Sequence, residues 1–76
     1  MANAKDKITK VVASVVATSK EPLETKEVFE KTQRTLNDVS RSKVMYRLND
    51  LRGQGEIFGK SVGSGKGVWI WWKKCE

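Results

Sequence analysis

The segment from Ser40 to Arg52 concentrates side chains that can bind an anion or the edge of a nucleic-acid base. Its candidate binding residues are Arg41, Ser42, Lys43, Tyr46, Arg47 and Asn49. Arginine and lysine suit phosphate oxygens and guanine edges, asparagine suits adenine, and hydroxyl groups donate to phosphate. The segment contains one acid, Asp50. It therefore favours a polyanionic ligand, and a solvated basic helix surface is the alternative that this segment alone leaves open.

A second group of donors follows in a glycine-rich stretch, VGSGKG, which the chain reaches after a short polar run. The candidates here are Lys60, Ser61, Ser64 and Lys66. Glycine allows the backbone to approach a ligand closely. Two basic segments in succession predict two contacts to one polyanion, whereas a solvent-exposed loop without a ligand is the alternative.

The distribution of charge supports the same interpretation. The net charge of the chain is +6. Residues 1–39 carry seven basic and six acidic side chains, whereas residues 40–74 carry eight basic and two acidic ones. A positive charge concentrated in one half of a chain indicates a polyanionic partner.

Enzymatic chemistry has little support in the sequence. There is no histidine and one cysteine, Cys75, so the usual general base, a thiolate zinc cluster and an internal disulfide are all excluded. The loop SVGSGKG lacks the spacing of a phosphate-binding loop, and a strand pattern rather than a helix follows it. We expect no enzyme activity, no metal, no cofactor and no small-molecule substrate.

Three helices are predicted to position the donors, over residues 4–18, 25–35 and 41–52. Apolar residues recur at helical spacing in each, and Val44, Leu48 and Leu51 form the buried stripe of the third. Residue type predicts the helix caps Asn3, Thr25 and Ser40, which precede the respective apolar patterns. Val39 is expected to pack under the turn before the third helix.

The pattern after Gly55 changes to the alternation of strands, with one strand over 56–61 and another over 68–73. Together they predict a hairpin over 56–73. Alternation puts Trp69 and Trp71 on one face and Trp72 on the other, so at least one tryptophan should be partly exposed. Leu23, isolated beside Pro22, could add a very short strand.

No segment approaches the about 20 apolar residues that span a bilayer. The run from Val11 to Ala17 has the length of a signal-peptide core, but Ser14 interrupts it and its removal would delete a helix that a small domain needs. With its single cysteine, the chain is expected to be cytoplasmic and to have no membrane association.

These elements resemble the winged helix-turn-helix family. The similarity is carried by Ser42, Val44, Leu48, Leu51, Gly55 and Ile57 within SRSKVMYRLNDLRGQGEIF, and by PLETKEVFEKTQ before them. The chain is also similar to the very small winged-helix transcription factors encoded by archaeal viruses and by plasmid–virus hybrids of thermoacidophiles. The resemblance implies an α+β fold over one domain, residues 1–76, with a three-helix core, a small antiparallel sheet and a C-terminal hairpin wing.

The resemblance also implies a function. Residues 41–52 would be the recognition helix of a sequence-specific transcriptional regulator and would enter the major groove of double-stranded DNA. The hairpin would be a basic wing on the adjacent backbone or minor groove. Either one protomer or two would occupy a site on host DNA. The alternatives are a winged-helix module that binds a protein of the transcription machinery, through Trp69 or Trp71, and a binder of RNA or single strands.

Overall fold

The computed structural model describes residues 7–63 and 68–73, and these residues form three helices and a three-stranded sheet. The elements in chain order are α1 (Lys7–Thr18), β1 (Leu23–Glu24), α2 (Thr25–Thr35), α3 (Arg41–Gly53), β2 (Ile57–Val62) and β3 (Val68–Lys73). The predicted α+β class is confirmed. The expected start of the first helix near residue 4, with its cap Asn3, lies outside the described residues. Within residues 7–63 and 68–73, no helix has the length and apolar character needed to cross a membrane.

The sheet is antiparallel, and β3 lies between β1 and β2. Gly59 is opposite Trp71 in the β2–β3 pair, and Leu23 is opposite Trp71 in the β1–β3 pair. The very short strand that the sequence allowed at Leu23 is therefore present, as the two-residue β1. It makes β3 a central strand, which explains how a tryptophan-rich strand can bury part of its surface in so small a sheet.

The core lies between the three helices and the inner face of the sheet. The stripe predicted for the third helix is confirmed, since Val44, Leu48 and Leu51 are all fully buried. Val39 is buried in the turn before α3, as expected. Trp71 is the largest of the fully buried side chains, and it fills the space between β3 and the helices.

The start of α2 corrects one prediction. Thr25 is the first residue of the helix rather than its cap, and Glu24 is the capping residue. The carboxylate of Glu27 accepts a hydrogen bond from the backbone N–H of Glu24 at 2.8 Å. The hydroxyl of Thr25 accepts instead from the indole N–H of Trp71, also at 2.8 Å. A buried indole N–H needs a partner, and this long-range contact takes precedence over local capping.

Both ends of α3 follow from local chemistry. The Ser40 hydroxyl caps the start of the helix by accepting from the backbone N–H of Lys43 at 3.2 Å, as predicted. After Gly53 the chain turns through Gly55, whose φ of 80° is in the left-handed region that glycine adopts without steric cost. The N–H of Glu56 then donates to the carbonyl of Leu51 at 3.0 Å. This turn ends the helix and leads directly into β2.

Candidate nucleic-acid interface

The side of α3 that faces away from the core carries the donors predicted from sequence. Arg41, Ser42, Lys43 and Asn49 are exposed, and Tyr46 is 65% exposed. The helix has 13 residues and is therefore about 20 Å long. Since the opposite side is anchored by three fully buried side chains, these donors extend from a fixed support.

The first turn of α3 combines two kinds of positive potential. Arg41 and Lys43 contribute full charges, and the helix N-terminus contributes the partial positive charge of its aligned peptide groups. No acid lies in this turn. An anion beside residues 41–43 would therefore meet attraction from side chains and backbone together.

Arg47 lies at the edge of the core, where the sequence pattern predicted it. It is half-buried, and its guanidinium carbon lies 5.3 Å from the centroid of the Tyr46 ring. The geometry is that of a cation–π contact. The contact restricts two long side chains on the donor side, which lowers the entropy that they would lose on binding.

Asn49 is hydrogen-bonded within the helix. Its side-chain nitrogen donates to the carbonyl of Met45 at 3.1 Å. A bidentate contact to adenine uses that nitrogen together with the side-chain oxygen. Asn49 would therefore have to exchange an intrahelical bond for a base contact, a requirement that the sequence did not reveal.

A groove runs beside the donor side of α3, between the starts of α2 and α3 and the start of β3. We call it the α2–α3 groove, and its volume is about 530 Å³. It is lined by Glu24, Thr25, Lys26, Arg41, Ser42, Met45, Val68 and Trp69. The structure thus brings Arg41 and Ser42 together with Lys26, a cation that sequence reasoning did not select. Only the fold of α2 against α3 shows that Lys26 is their neighbour.

The hairpin divides its predicted donors between two faces. Ser61 is opposite Trp69 and lies on the face that packs against the helices, whereas Lys60 is opposite Ile70 on the other face. Lys60 therefore lies on the face of the sheet opposite the helices and does not extend the donor side of α3. Ser64 and Lys66 lie outside the described residues.

A chain of contacts fixes the hairpin to the helices. The Arg52 side chain donates from Nε to the carbonyl of Gly59 at 3.3 Å, and its guanidinium carbon lies 5.1 Å from the centroid of the Trp69 ring. Trp69 stacks on Trp71, with ring centroids 5.3 Å apart and an interplanar angle of 20°. Trp71 in turn reaches Thr25 at the start of α2. Arg52 is thus the residue that joins the end of α3 to both strands of the hairpin.

The sequence contained only part of this arrangement. Alternation correctly grouped Trp69 with Trp71, and both Trp69 and Trp72 are partly exposed as expected. The expectation that Trp71 could carry a partner contact is wrong, because its side chain is fully buried. The role of Arg52 could not be found from spacing, since it depends on the packing of α3 against β2.

The described residues contain no cluster of three or more potential metal ligands. The cations on the donor side of α3 donate hydrogen bonds and accept none, and Asp50, exposed two turns after Lys43, is the one acid of the helix. Comparison of the chain with models of known protein families and with curated proteins finds no match.

Proposed function

We propose that this chain is a winged helix-turn-helix protein that binds double-stranded DNA sequence-specifically and regulates transcription. In this proposal α3 is the recognition helix and enters the major groove. The β2–β3 hairpin is the wing and lies along the adjacent backbone or minor groove. The protein acts inside the cell, without a cofactor, as one or two protomers on each DNA site.

The observation that carries the proposal is the two-sided character of α3. One side is fixed in the core by Val44, Leu48 and Leu51, and the other exposes a row of donors with Tyr46 at its centre. The major groove of B-form DNA is about 12 Å wide and admits one α-helix. A rigid helix with donors on its outward side matches the requirements of that groove.

The donors divide between two tasks. Arg41 and Lys43, in the first turn, are suited to phosphate oxygens and guanine edges, and Lys26 would add a phosphate contact from α2. Tyr46 and Asn49, one turn further along, are suited to base edges. With this division, the affinity for DNA would have an electrostatic part that is the same for any duplex and a part that depends on the base sequence.

The attachment of the hairpin supports the wing assignment. Arg52 joins α3 to Gly59 and Trp69, so the hairpin keeps one orientation relative to the donor side. A second element in a fixed position beside a recognition helix would set the register of the helix on the duplex. In this arrangement Ser61 is the described wing donor on the side of the helices, and Ser64 and Lys66, which lie outside the described residues, are proposed as wing donors from the sequence. Lys60 would contribute through long-range attraction, since its strand position faces away from the helices.

The test is the selection of binding sites from a random duplex library at about 150 mM salt, where the attraction between distant charges is screened. We expect a recovered sequence motif, and its symmetry would give the number of protomers. Weak binding to every duplex, with no enriched motif, would refute sequence-specific recognition. A single-stranded library run in parallel tests the alternative of base stacking on tryptophan, which predicts equal or stronger recovery of single strands.

The second candidate function is a protein-binding module of the transcription machinery. It is favoured by one observation, the exposure of Phe58 and Val68, which are 41% and 45% exposed on the sheet. Phe58 does not line the α2–α3 groove, although Val68 does, so a partner bound at Phe58 would be compatible with DNA bound at α3. Affinity for such a partner would survive moderate salt, whereas affinity for DNA would fall steeply.

A further inference from the structure

The face of the sheet that points away from the helices is mainly apolar. Ile57 and Trp71 point into the core, so alternate residues of β2 and β3 point outward. We call this surface the outer sheet face, and it consists of Phe58, Lys60, Val62, Val68, Ile70 and Trp72. The rings of Phe58 and Trp72 contact each other, with centroids 5.9 Å apart. A cluster of five apolar side chains on one exposed face indicates an interaction surface.

A pocket of about 480 Å³ opens at one end of this face. Its apolar part is formed by Ile70, Trp72 and Pro22. Three lysines, Lys20, Lys60 and Lys73, line it together with one acid, Glu21, and Ser19. The pocket thus combines an apolar base with a rim of net positive charge.

We propose that the outer sheet face binds an acidic segment of a partner protein, which inserts an aromatic or branched aliphatic side chain against Ile70 and Trp72. Carboxylates on either side of that side chain would pair with Lys20, Lys60 and Lys73. Burial of one large apolar side chain contributes affinity, and the lysines select acidic over basic or neutral segments. This assignment gives Lys60 a role on the face where its strand position puts it.

Charge and ring geometry argue against two other occupants of the outer sheet face. A second copy of the chain would bring the same three lysines against each other, opposed by few carboxylates, and like charges in a contact are unfavourable. A single-stranded nucleic acid stacks its bases on flat aromatic faces, but Phe58 and Trp72 contact each other at an angle of 44° and so do not form one flat stacking surface. Glu21 would also repel a phosphate backbone.

The pocket on the outer sheet face is separate from the α2–α3 groove, although Val68, which belongs to the outer sheet face, also lines that groove. The pocket and the α2–α3 groove have no lining residue in common. The inference therefore does not rest on DNA binding, and one molecule could bind both partners at once.

The test uses the full chain, labelled with ¹⁵N, and synthetic peptides of about ten residues, the length of a strand and its flanks. Each peptide is rich in Asp and Glu and has a central Phe, Trp, Leu or Ile. Matched peptides carry Ala at the centre, or Asn and Gln in place of the acids. We expect saturable amide shifts confined to β2, β3 and residues 19–22 for at least one acidic peptide, and roughly tenfold weaker binding of both matched peptides.

Two double variants that lower the net charge of the chain equally distinguish the effect of the pocket lysines from the effect of net charge. Lys20→Glu with Lys73→Glu should weaken peptide binding by roughly tenfold. Lys10→Glu with Lys31→Glu changes exposed lysines of α1 and α2 by the same total charge, and it should leave binding within about twofold because neither lysine lines the pocket. Circular dichroism and the dispersion of the amide spectrum report whether each variant is folded.

Four results would overturn the proposal. The first two concern the titrations: no peptide saturates at millimolar concentration, or the amide shifts centre on α3 instead of the sheet. The third is that the two double variants weaken peptide binding equally. The fourth is that oligo(dT) binds the outer sheet face more tightly than any peptide does. Concentration-dependent shifts of the same amides without peptide would assign the face to a second copy of the chain instead.

Discussion

The guanidinium carbon of Arg52 lies 5.1 Å from the centroid of the Trp69 ring, and its Nε donates to the carbonyl of Gly59. One side chain at the end of α3 thus contacts both strands of the hairpin. Because Trp69 also stacks on the buried Trp71, the hairpin is tied to the core through Arg52 and through β3 itself. The orientation of the hairpin relative to α3 therefore depends on a side chain that sequence reasoning did not select.

Replacing Arg52 with alanine should lower the free energy of unfolding by about 1 kcal/mol, since an exposed cation–π contact and a hydrogen bond are both lost. Amide exchange in β2 should accelerate more than exchange in α1. Urea unfolding and hydrogen exchange measure the two effects. Arg34→Ala removes an exposed arginine of α2 and should leave exchange in β2 unchanged. Equal exchange in β2 for the two variants would show that Arg52 does not hold the hairpin.

Gly59 is required by the close approach of Trp71. A Cβ at this position would overlap the six-membered ring of the indole. Gly59→Ala should therefore lower stability by about 1–3 kcal/mol, as in other overpacked cores, and should change the tryptophan emission. Gly53→Ala is the matched control, because a Cβ there meets nothing within 4 Å and alanine favours helix. If Gly59→Ala is as stable as Gly53→Ala, the indole does not pack on this glycine in solution.

Thr32 is fully buried in α2, and its hydroxyl oxygen has no hydrogen-bond partner among the described residues. A buried hydroxyl without a partner costs about 1–3 kcal/mol. Thr32→Val keeps the shape of the side chain and should raise the urea midpoint, with a gain of about 1 kcal/mol. Thr35→Val, at an exposed position of the same helix, should change the midpoint little. A lower midpoint for Thr32→Val would reveal a partner of the hydroxyl.

Local pattern was sufficient for the elements and for the buried side of α3. The 3.6-residue spacing of Val44, Leu48 and Leu51 predicted their burial, and Ser40 was recognisable as a cap because its hydroxyl acts within one turn. The sequence allowed a very short strand at Leu23 because this residue is an isolated apolar side chain beside a proline break.

Long-range contacts could not be predicted from the sequence pattern. Residue type predicts Thr25 as a helix cap, but its hydroxyl accepts a hydrogen bond from the indole N–H of Trp71, 46 residues away along the chain. The grouping of Lys60 with Ser61 as wing donors missed that adjacent residues of a strand face opposite sides. Lys26 joins Arg41 only through the packing of α2 against α3, which no spacing along the chain specifies.

Salt dependence tests the electrostatic part of the proposed DNA binding. Four to six phosphate contacts by each protomer predict a slope of roughly −4 to −5 in a plot of log K against log salt concentration. Lys43→Ala should reduce the magnitude of the slope by about 1 if Lys43 contacts a phosphate. Lys31→Ala removes an exposed lysine of α2 that does not line the α2–α3 groove, and it should leave the slope unchanged. A slope near zero for the unaltered chain would exclude a phosphate-dominated interface.

Base discrimination tests the recognition role of α3 itself. Tyr46→Ala and Asn49→Ala should each reduce the ratio of affinities between a selected site and a scrambled duplex, because side chains suited to base edges are removed. Lys66→Ala, in the segment outside the described residues, should weaken both duplexes alike and preserve the ratio. Asn49 carries a further expectation. It must release the Met45 carbonyl to bind a base, so Asn49→Ala should reduce discrimination by less than a full bidentate contact, which is worth about 1–3 kcal/mol. If all three variants lower affinity equally on both duplexes, α3 contacts the backbone of DNA and does not read its sequence.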